Sequence, residues 1–299
     1  MYSRQSGKPI LFKGKPISKT IITFLLFLLV FMLTGGEAIH VHAQTTDTAV
    51  VVGAGDISSC SQNNDTKTAN LLANIPGTVV ALGDNVYENG TLTEYNNCYG
   101  PTWGQYKSRT KPVPGNHEYQ TSGAAGYYNY FGVSKYYAYN LGAWRVYALN
   151  SEIDVSATST QVTWLKNDLA ANPKYCVLAY WHRPRWSSSG AMDTRMQTIW
   201  AILADAKAEV VLSGHAHNYE RFAQMNKNGT TINPGLRQFV VGTGGNGHSG
   251  FGTILSSSRA RNASTYGVIK LTLKPGGYDW KFVPITGQTY TDSGSTSCH

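Results

Sequence analysis

Five short apolar runs in this chain each end on a side chain that can bind a metal ion, and no other feature constrains the fold as strongly. Val50-Val51-Val52-Gly53-Ala54-Gly55 leads into Asp56, and Val79-Val80-Ala81-Leu82-Gly83 into Asp84. Lys111-Pro112-Val113-Pro114-Gly115 leads into Asn116 and His117, Val177-Leu178-Ala179-Tyr180-Trp181 into His182, and Val210-Val211-Leu212-Ser213-Gly214 into His215. Short apolar runs bounded by turn residues read as buried strands. In α/β sheets ligands bind beyond the carboxyl ends of strands, where several loops share one crevice. Glycine before four of the five polar residues suits a backbone that must turn sharply to aim a side chain. Each residue alone has an ordinary explanation: a turn for Asp56, Asp84 or Asn116, a core or rim position for His182, an incidental surface pair for His215 and His217. Five of them in register with five strands read as one site.

Between these runs lie helical patterns. Asp65 to Ile75 separates the first two runs in the rhythm of a β-α-β unit, and Thr160 to Ala171 and Thr194 to Ala208 precede the runs at Cys176–Tyr180 and Val210–Leu212. Tyr136 to Asn150 alternates around Asn140-Leu141-Gly142 as a hairpin, and further strands are expected at Phe239–Val241, Gly267–Ile269 and Tyr278–Val283. The chain is therefore read as α/β, with a mixed sheet or two packed sheets. A hydrophobic share of 41% against 14% charged residues excludes disorder, and 31 glycines with 19 tyrosines argue against a helical bundle.

The first 43 residues read as a secretory signal peptide. Arg4, Lys8, Lys13, Lys15 and Lys19 precede an apolar run from Ile21 to Leu33, and the small-residue sequence Val41-His42-Ala43 follows. The run falls short of the roughly 20 residues that cross a bilayer, so a membrane association is expected only if this leader stays uncleaved as an anchor. Residues 44–299 are expected to form a single catalytic domain, exported from the cytoplasm. The leader holds about half of the formal net charge of +8, and the remaining Lys and Arg are scattered, so no nucleic-acid partner is expected. A mild positive field still favours anionic substrates.

Cys60, Cys98, Cys176 and Cys298 show no CxxC spacing, which argues against a zinc ribbon or thioredoxin-type site. Export permits disulfides. Cys60 with Cys98 is the preferred pair, since both lie in polar, loop-like segments; Cys176 opens an apolar run and is open to either a bridge or a buried thiol.

The ordered set Gly55-Asp56, Gly83-Asp84-Asn85-Val86-Tyr87, Gly115-Asn116-His117-Glu118, His182 and Gly214-His215-Ala216-His217 resembles the calcineurin-like metallophosphoesterases. Tyr87, three residues after Asp84, narrows the resemblance to the purple acid phosphatase branch. Arg183-Pro184, Asn218-Tyr219-Glu220-Arg221 and Gly242-Thr243-Gly244-Gly245 support it, and it spans about residues 50–245. The resemblance implies two packed mixed β-sheets flanked by helices, a four-layer α/β/β/α sandwich, around two metal ions. One metal would take Asp56, Asp84, Tyr87 and His217; the other would share Asp84 and add Asn116, His182 and His215. His117 is similar to the family's phosphate-contacting histidine, so His117 and Asn116 are assigned to substrate binding and His117 to catalysis.

The chemistry fits these residue types. Hydrolysis of a phosphate ester needs charge neutralisation and a strong nucleophile, and two metals roughly 3.5–4 Å apart supply both. Imidazole, carboxylate and carbonyl oxygen suit Fe, Zn or Mn. A phenol with a pKa near 10 ionises at neutral pH only beside a strong Lewis acid, so Tyr87 favours Fe(III) paired with a divalent Fe, Zn or Mn. The expected function is that of a secreted acid phosphatase cleaving phosphate monoesters by in-line attack of metal-bound hydroxide. The alternatives are a phosphodiesterase or nucleotidase on the same scaffold, or an exported metal- or phosphate-binding protein without turnover.

In plant members of the family, further histidines beyond the His182 motif help to bind phosphate; here Arg183 to Ala191 contains none, and Arg183 or Arg185 is either their substitute or structural. A separate N-terminal β-domain is not expected, because the first motif follows the leader closely. The aromatic cluster of Tyr119, Tyr127, Tyr128, Tyr130, Phe131, Tyr136 and Tyr137 is either core or a stacking wall for a leaving group.

Overall fold

A computed structural model of the protein describes residues 48–299. The expected signal peptide at 1–43 lies outside the described residues.

Two mixed sheets form face to face. The first contains β1 (Ala49–Ala54), β3 (Thr78–Leu82), β5 (Thr110–Val113), β13 (Gly267–Lys274), β14 (Gly277–Pro284) and β15 (Ser293–Ser297), in the order β15-β14-β13-β1-β3-β5. The second contains β6 (Tyr137–Leu141), β7 (Trp144–Ala148), β8 (Cys176–Tyr180), β9 (Val210–Ser213), β10 (Tyr219–Met225), β11 (Leu236–Val241) and β12 (Ser258–Asn262), in the order β12-β10-β11-β9-β8-β7-β6. A two-stranded ribbon pairs β2 (Ser58–Ser59) with β4 (Val86–Tyr87). β1, β3 and β5 run parallel in one sheet, and β7, β8, β9 and β11 run parallel in the other.

Strand periodicity explains the layering. Along β8, Cys176, Leu178 and Tyr180 join Val51, Val80 and Leu82 of the first sheet in the core between the sheets. Val177 and Ala179 point the other way, with Trp181, into a second core under helices α3 (Thr160–Ala171) and α4 (Gln197–Asp205), where Val162, Leu165, Ile199, Trp200 and Leu203 meet them. Helix α1 (Asn64–Asn74) buries Ala69 and Leu72 against the first sheet, and α2 (Ala125–Phe131) lies between β5 and β6 in the chain. The expected four-layer α/β/β/α sandwich is what the elements form.

Most expected elements occur within a residue or two of their boundaries, with instructive differences. The hairpin turn sits one residue later than expected, at Gly142-Ala143, because Leu141 still pairs with Trp144 and Gly142 supplies the positive φ of 57°. The Thr194–Ala208 pattern splits into a 3-10 turn at Thr194–Met196, capped by the Asp193 side chain, followed by α4. Strands β10, β12 and β15 carry polar residues that hid them from a periodicity reading.

Both disulfides are closed. Cys60 pairs with Cys98, as preferred from sequence, and Cys176 pairs with Cys298 rather than remaining a thiol. The second bond follows from topology: β15 returns antiparallel to β14 and carries Cys298 to the start of β8. No helix among the described residues is long and apolar enough to cross a membrane.

Candidate metal centre

The carboxyl ends of β1, β3 and β5 in one sheet and of β8 and β9 in the other open onto the same crevice. Asp56, Asp84 and His215, which follow β1, β3 and β9, all have left-handed backbones, with φ of 59°, 46° and 67°. Non-glycine residues held there cost of order 1–3 kcal/mol each and cluster at functional sites. Gly83, at φ 85°, packs so tightly that a Cβ would come within 2.6 Å of the His182 ring. The glycine before Asp84 thus admits both the turn and the histidine from the opposing sheet.

Asp84 stands at the middle. Its Oδ2 lies 3.3 Å from Tyr87 Oη and 3.1 Å from His182 Nε2, and its Oδ1 accepts the His117 backbone N–H at 2.8 Å. Tyr87 Oη donates to Asp56 Oδ1 at 3.0 Å and lies 3.2 Å from His217 Nε2, which is itself 3.2 Å from Asp56 Oδ1. On the other side of Asp84, the rings of His182 and His215 meet edge-on at 5.0 Å, and ligating atoms of Asp84, His182 and His215 lie within 4.8 Å of one another. Two groups of donors, Asp56-Tyr87-His217 and His182-His215, therefore share one carboxylate. Asn116 follows β5 with its Oδ1 buried, and His117 packs its ring 4.3 Å from that of Tyr87.

Two of these buried atoms, Asn116 Oδ1 and His182 Nε2, make no hydrogen bond among the described residues. His182 Nδ1 lies 2.9 Å from the Leu82 carbonyl, which accepts its proton and leaves Nε2 facing Asp84. Burial opposes a charge on His182, but the Asp84 carboxylate outweighs it and pushes the imidazole up to about 10. A buried nitrogen and a carboxylate that hold a proton so tightly suit a metal ion in its place. Asn116 Oδ1 has no hydrogen-bond partner among the described residues, which is costly for a buried carbonyl unless something coordinates it. Burial, then Asp56 and Asp84, raise the Tyr87 phenol well above its ordinary value. Burial, with His182 and Arg183 nearby, lowers His215 to about 4, which leaves its ring neutral and able to ligate. The donor set of carboxylate, imidazole, phenol and amide oxygen fits iron, zinc or manganese.

Three supporting residues escaped the strand-end pattern. Glu118 is fully buried and accepts the N–H groups of Asp84, Asn85, Val86 and Gly115 and the Tyr95 hydroxyl, at 2.6–3.3 Å. It fastens the turn after β3 to the turn after β5. Asn246 donates its N–H to the Asp56 carbonyl at 2.9 Å, and its side chain favours the ionised form of Tyr87. Glu152 holds the Arg183 guanidinium, whose Nη1 lies 3.1 Å from His215 Nε2. A signal for Glu152 was present, since the run Val146-Tyr147-Ala148-Leu149 also ends in polar residues, Asn150-Ser151-Glu152.

The aromatic cluster divides. Tyr127 is fully buried core with its hydroxyl on the Pro112 carbonyl, and the partly buried Tyr130 and Phe131 pack against that core on Tyr95 and Tyr99. Tyr119 and Tyr128 instead share the Asn150 amide.

A two-sheet α/β sandwich with shared-carboxylate donor groups at its strand ends defines the metallophosphoesterase class of fold. The family model described as calcineurin-like phosphoesterase matches residues 40–219, and the chain belongs to that family. Its curated relatives bear out the resemblance to purple acid phosphatases. Purple acid phosphatase 23 of Arabidopsis thaliana is 26% identical over 238 residues, covering 64% of this chain and 51% of the relative. Purple acid phosphatase 22 of the same plant is 30% identical over 119 residues, covering 37% and 27%. The chain thus spans about half or less of the curated relatives it matches. Among solved structures, purple acid phosphatase PPD1 from yellow lupin seeds superimposes with a TM-score of 0.67 at 20% identity, over 84% of this chain and 54% of that one. GAP50, the anchor in the inner membrane complex of Plasmodium, gives a TM-score of 0.66 at 16% identity, over 82% and 88%. Both share the fold.

Proposed function

We propose that this chain is an exported phosphohydrolase that cleaves phosphate monoesters at a two-metal centre. The observation that carries this reading is the sharing of Asp84 between two donor groups, one around the Tyr87 hydroxyl and one around His182 and His215. Asp56, Asp84, Tyr87 and His217 would hold Fe(III), and Asp84, Asn116, His182 and His215 a divalent Fe, Zn or Mn ion. When bound, the two ions neutralise charge on the phosphoryl group and acidify a water as nucleophile.

The chain's own groups do the rest. Asp84, shared by both donor groups, would hold the two ions side by side. His117 Nδ1 lies 2.6 Å from the Glu88 carbonyl and donates to it, which leaves Nε2 to face substrate. As the imidazolium, with a proton on each ring nitrogen, His117 would contact the phosphoryl group from Nε2 and pass that Nε2 proton to the leaving oxygen, ending as the neutral imidazole that keeps its Nδ1 proton. Asn116 orients the same group from the adjacent position. Export is supported by the two disulfides, which persist in oxidising compartments, with 1–43 as the leader and 44–299 as the catalytic domain.

The test is turnover of para-nitrophenyl phosphate against its bis-ester by purified protein of known metal content. Preference for the monoester with near two metals per chain is the expected result; preference for the bis-ester makes it a diesterase. Asn116→Ala and His182→Ala should each abolish turnover while the protein stays folded by circular dichroism. Full activity in both variants would remove the site assignment, and no turnover of either ester by metal-loaded protein would leave a binding protein.

A further inference from the structure

We infer that Arg183 is a second substrate-binding residue, which grips the phosphoryl oxygens from the His215 side of the centre. The inference rests on the phosphohydrolase reading above and names a contact that reading leaves open. Sequence alone could not choose between Arg183 and Arg185, and the structure separates them. The Arg185 guanidinium lies over the Trp186 ring at 3.8 Å and its Nε donates to Gln197, and among the described residues none of its nitrogens hydrogen-bonds a candidate metal ligand. Arg183 is the only Lys or Arg, among the described residues, with a side-chain nitrogen in hydrogen-bond reach of a candidate metal ligand.

Its geometry is that of a braced anion-binding group. Arg183 Nε donates to both Glu152 oxygens at 3.0 and 2.9 Å, and its backbone N–H donates to Ser151 Oγ at 3.1 Å. The Glu152 side chain is only 7% exposed, whereas Arg183 is 25% exposed, so a buried carboxylate pins the Nε edge and the far edge reaches solvent. One Nη1 hydrogen is directed at His215 Nε2, and no hydrogen bond among the described residues uses Nη2. The Nη2 hydrogens, with the second hydrogen on Nη1, are left to donate to phosphoryl oxygens. Arg183 stands beside His215, on the His182 side of Asp84, whereas His117 packs on Tyr87. A phosphoryl group between them would be held from two directions, by an imidazole and by a guanidinium fork.

The experiment compares metal-loaded wild type, Arg183→Gln and Arg183→Lys for binding of inorganic phosphate by calorimetry, metal content per chain, and KM and kcat on para-nitrophenyl phosphate. A lost charge-assisted hydrogen bond predicts phosphate binding and KM weaker by about 10- to 100-fold in Arg183→Gln, with metal content unchanged and kcat less affected. Arg183→Lys should recover part of the binding, since it keeps the charge and loses the fork. Phosphate binding at wild-type strength in Arg183→Gln overturns the inference. So does a parallel fall in metal content, which would make Arg183 a brace for His215 only. Those outcomes leave the phosphohydrolase reading standing; a metal-loaded wild type that neither binds phosphate nor turns over ester removes both.

Discussion

The Tyr87 hydroxyl donates to Asp56 Oδ1 at 3.0 Å while standing 3.3 Å from Asp84 Oδ2, so the phenol sits between two carboxylates that both resist its ionisation. Only a strongly Lewis-acidic ion can displace that proton near neutral pH. Iron-loaded protein should therefore show a visible phenolate charge-transfer band, and Tyr87→Phe should abolish it. Metal affinity should fall by more than the roughly 10- to 100-fold that loss of an outer partner costs. Absorbance with elemental analysis checks this; an iron-loaded wild type that stays colourless would place Tyr87 outside the metal's coordination.

Glu118 joins the turns that carry Asp84 and Asn116 through five donors and no acceptor. Burial and Asp84 push its pKa up, to about 7, yet a proton on either oxygen would face only N–H and O–H groups. Glu118→Gln places an amide NH₂ against two or three of those donors. It should cost at least about 2 kcal/mol, at about 1–3 kcal/mol per unsatisfied buried group, and lower turnover as Asp84 shifts. Urea unfolding checks the first effect; a loss below 0.5 kcal/mol, on the order of a surface change, would show that Glu118 carries no such burden.

Glu209, fully buried, accepts the His299 N–H at 2.9 Å and places Oε2 3.0 Å from His299 Nδ1. Burial raises its carboxyl to about 8 against that N–H, so the folded protein retains a proton that the unfolded chain releases near its ordinary pKa. A raised folded pKa gives stability that is fully present below the unfolded value and is lost as pH rises toward 8. Stability should fall by on the order of 2–4 kcal/mol between pH 5 and 8 from this group, and Glu209→Gln should flatten that slope. Urea midpoints across this range measure it, and an unchanged slope in the variant would contradict the assignment.

Asp292 ties the sheets together. It accepts from Tyr219 Oη and Arg221 Nε of β10, each at 2.7 Å, and from Trp280 Nε1 of β14 at 3.1 Å. Burial works against its charge, but Arg221 and the other donors outweigh it and hold the carboxyl below its usual range. Here the sign is opposite: the contribution is present above the unfolded pKa and fades as pH falls through the folded one. Asp292→Asn should cost about 2–4 kcal/mol at pH 7, comparable with breaking a buried ion pair, and should lose less than wild type on acidification to pH 3. Thermal melts at the two pH values test both halves.

Much of this fold is legible in the amino-acid sequence. The strands ending at Ala54, Leu82, Val113, Tyr180 and Ser213 declare themselves as short apolar runs, four of them closed by glycine. The polar residues beyond them follow from strand geometry, since whatever ends a parallel strand stands in a shared crevice. Helix α3 matches its predicted range, with Ser159 capping the Val162 N–H. Strand β15 is illegible because Ser293-Gly294-Ser295-Thr296-Ser297 has no apolar face, and only pairing with β14 makes it a strand.

The sequence by itself determined the α/β class, the order of the donors and the residue types they offer a metal, because these depend on local periodicity and side-chain chemistry. Tertiary structure alone decided that Cys176 meets Cys298, that Glu118 braces two turns, that Arg183 faces His215 while Arg185 packs on Trp186, and that Asp292 bridges two sheets. Each of these joins residues remote in the chain or depends on which face of a loop points inward. Such contacts are fixed by how two sheets pack, a collective outcome that no local pattern of residues encodes.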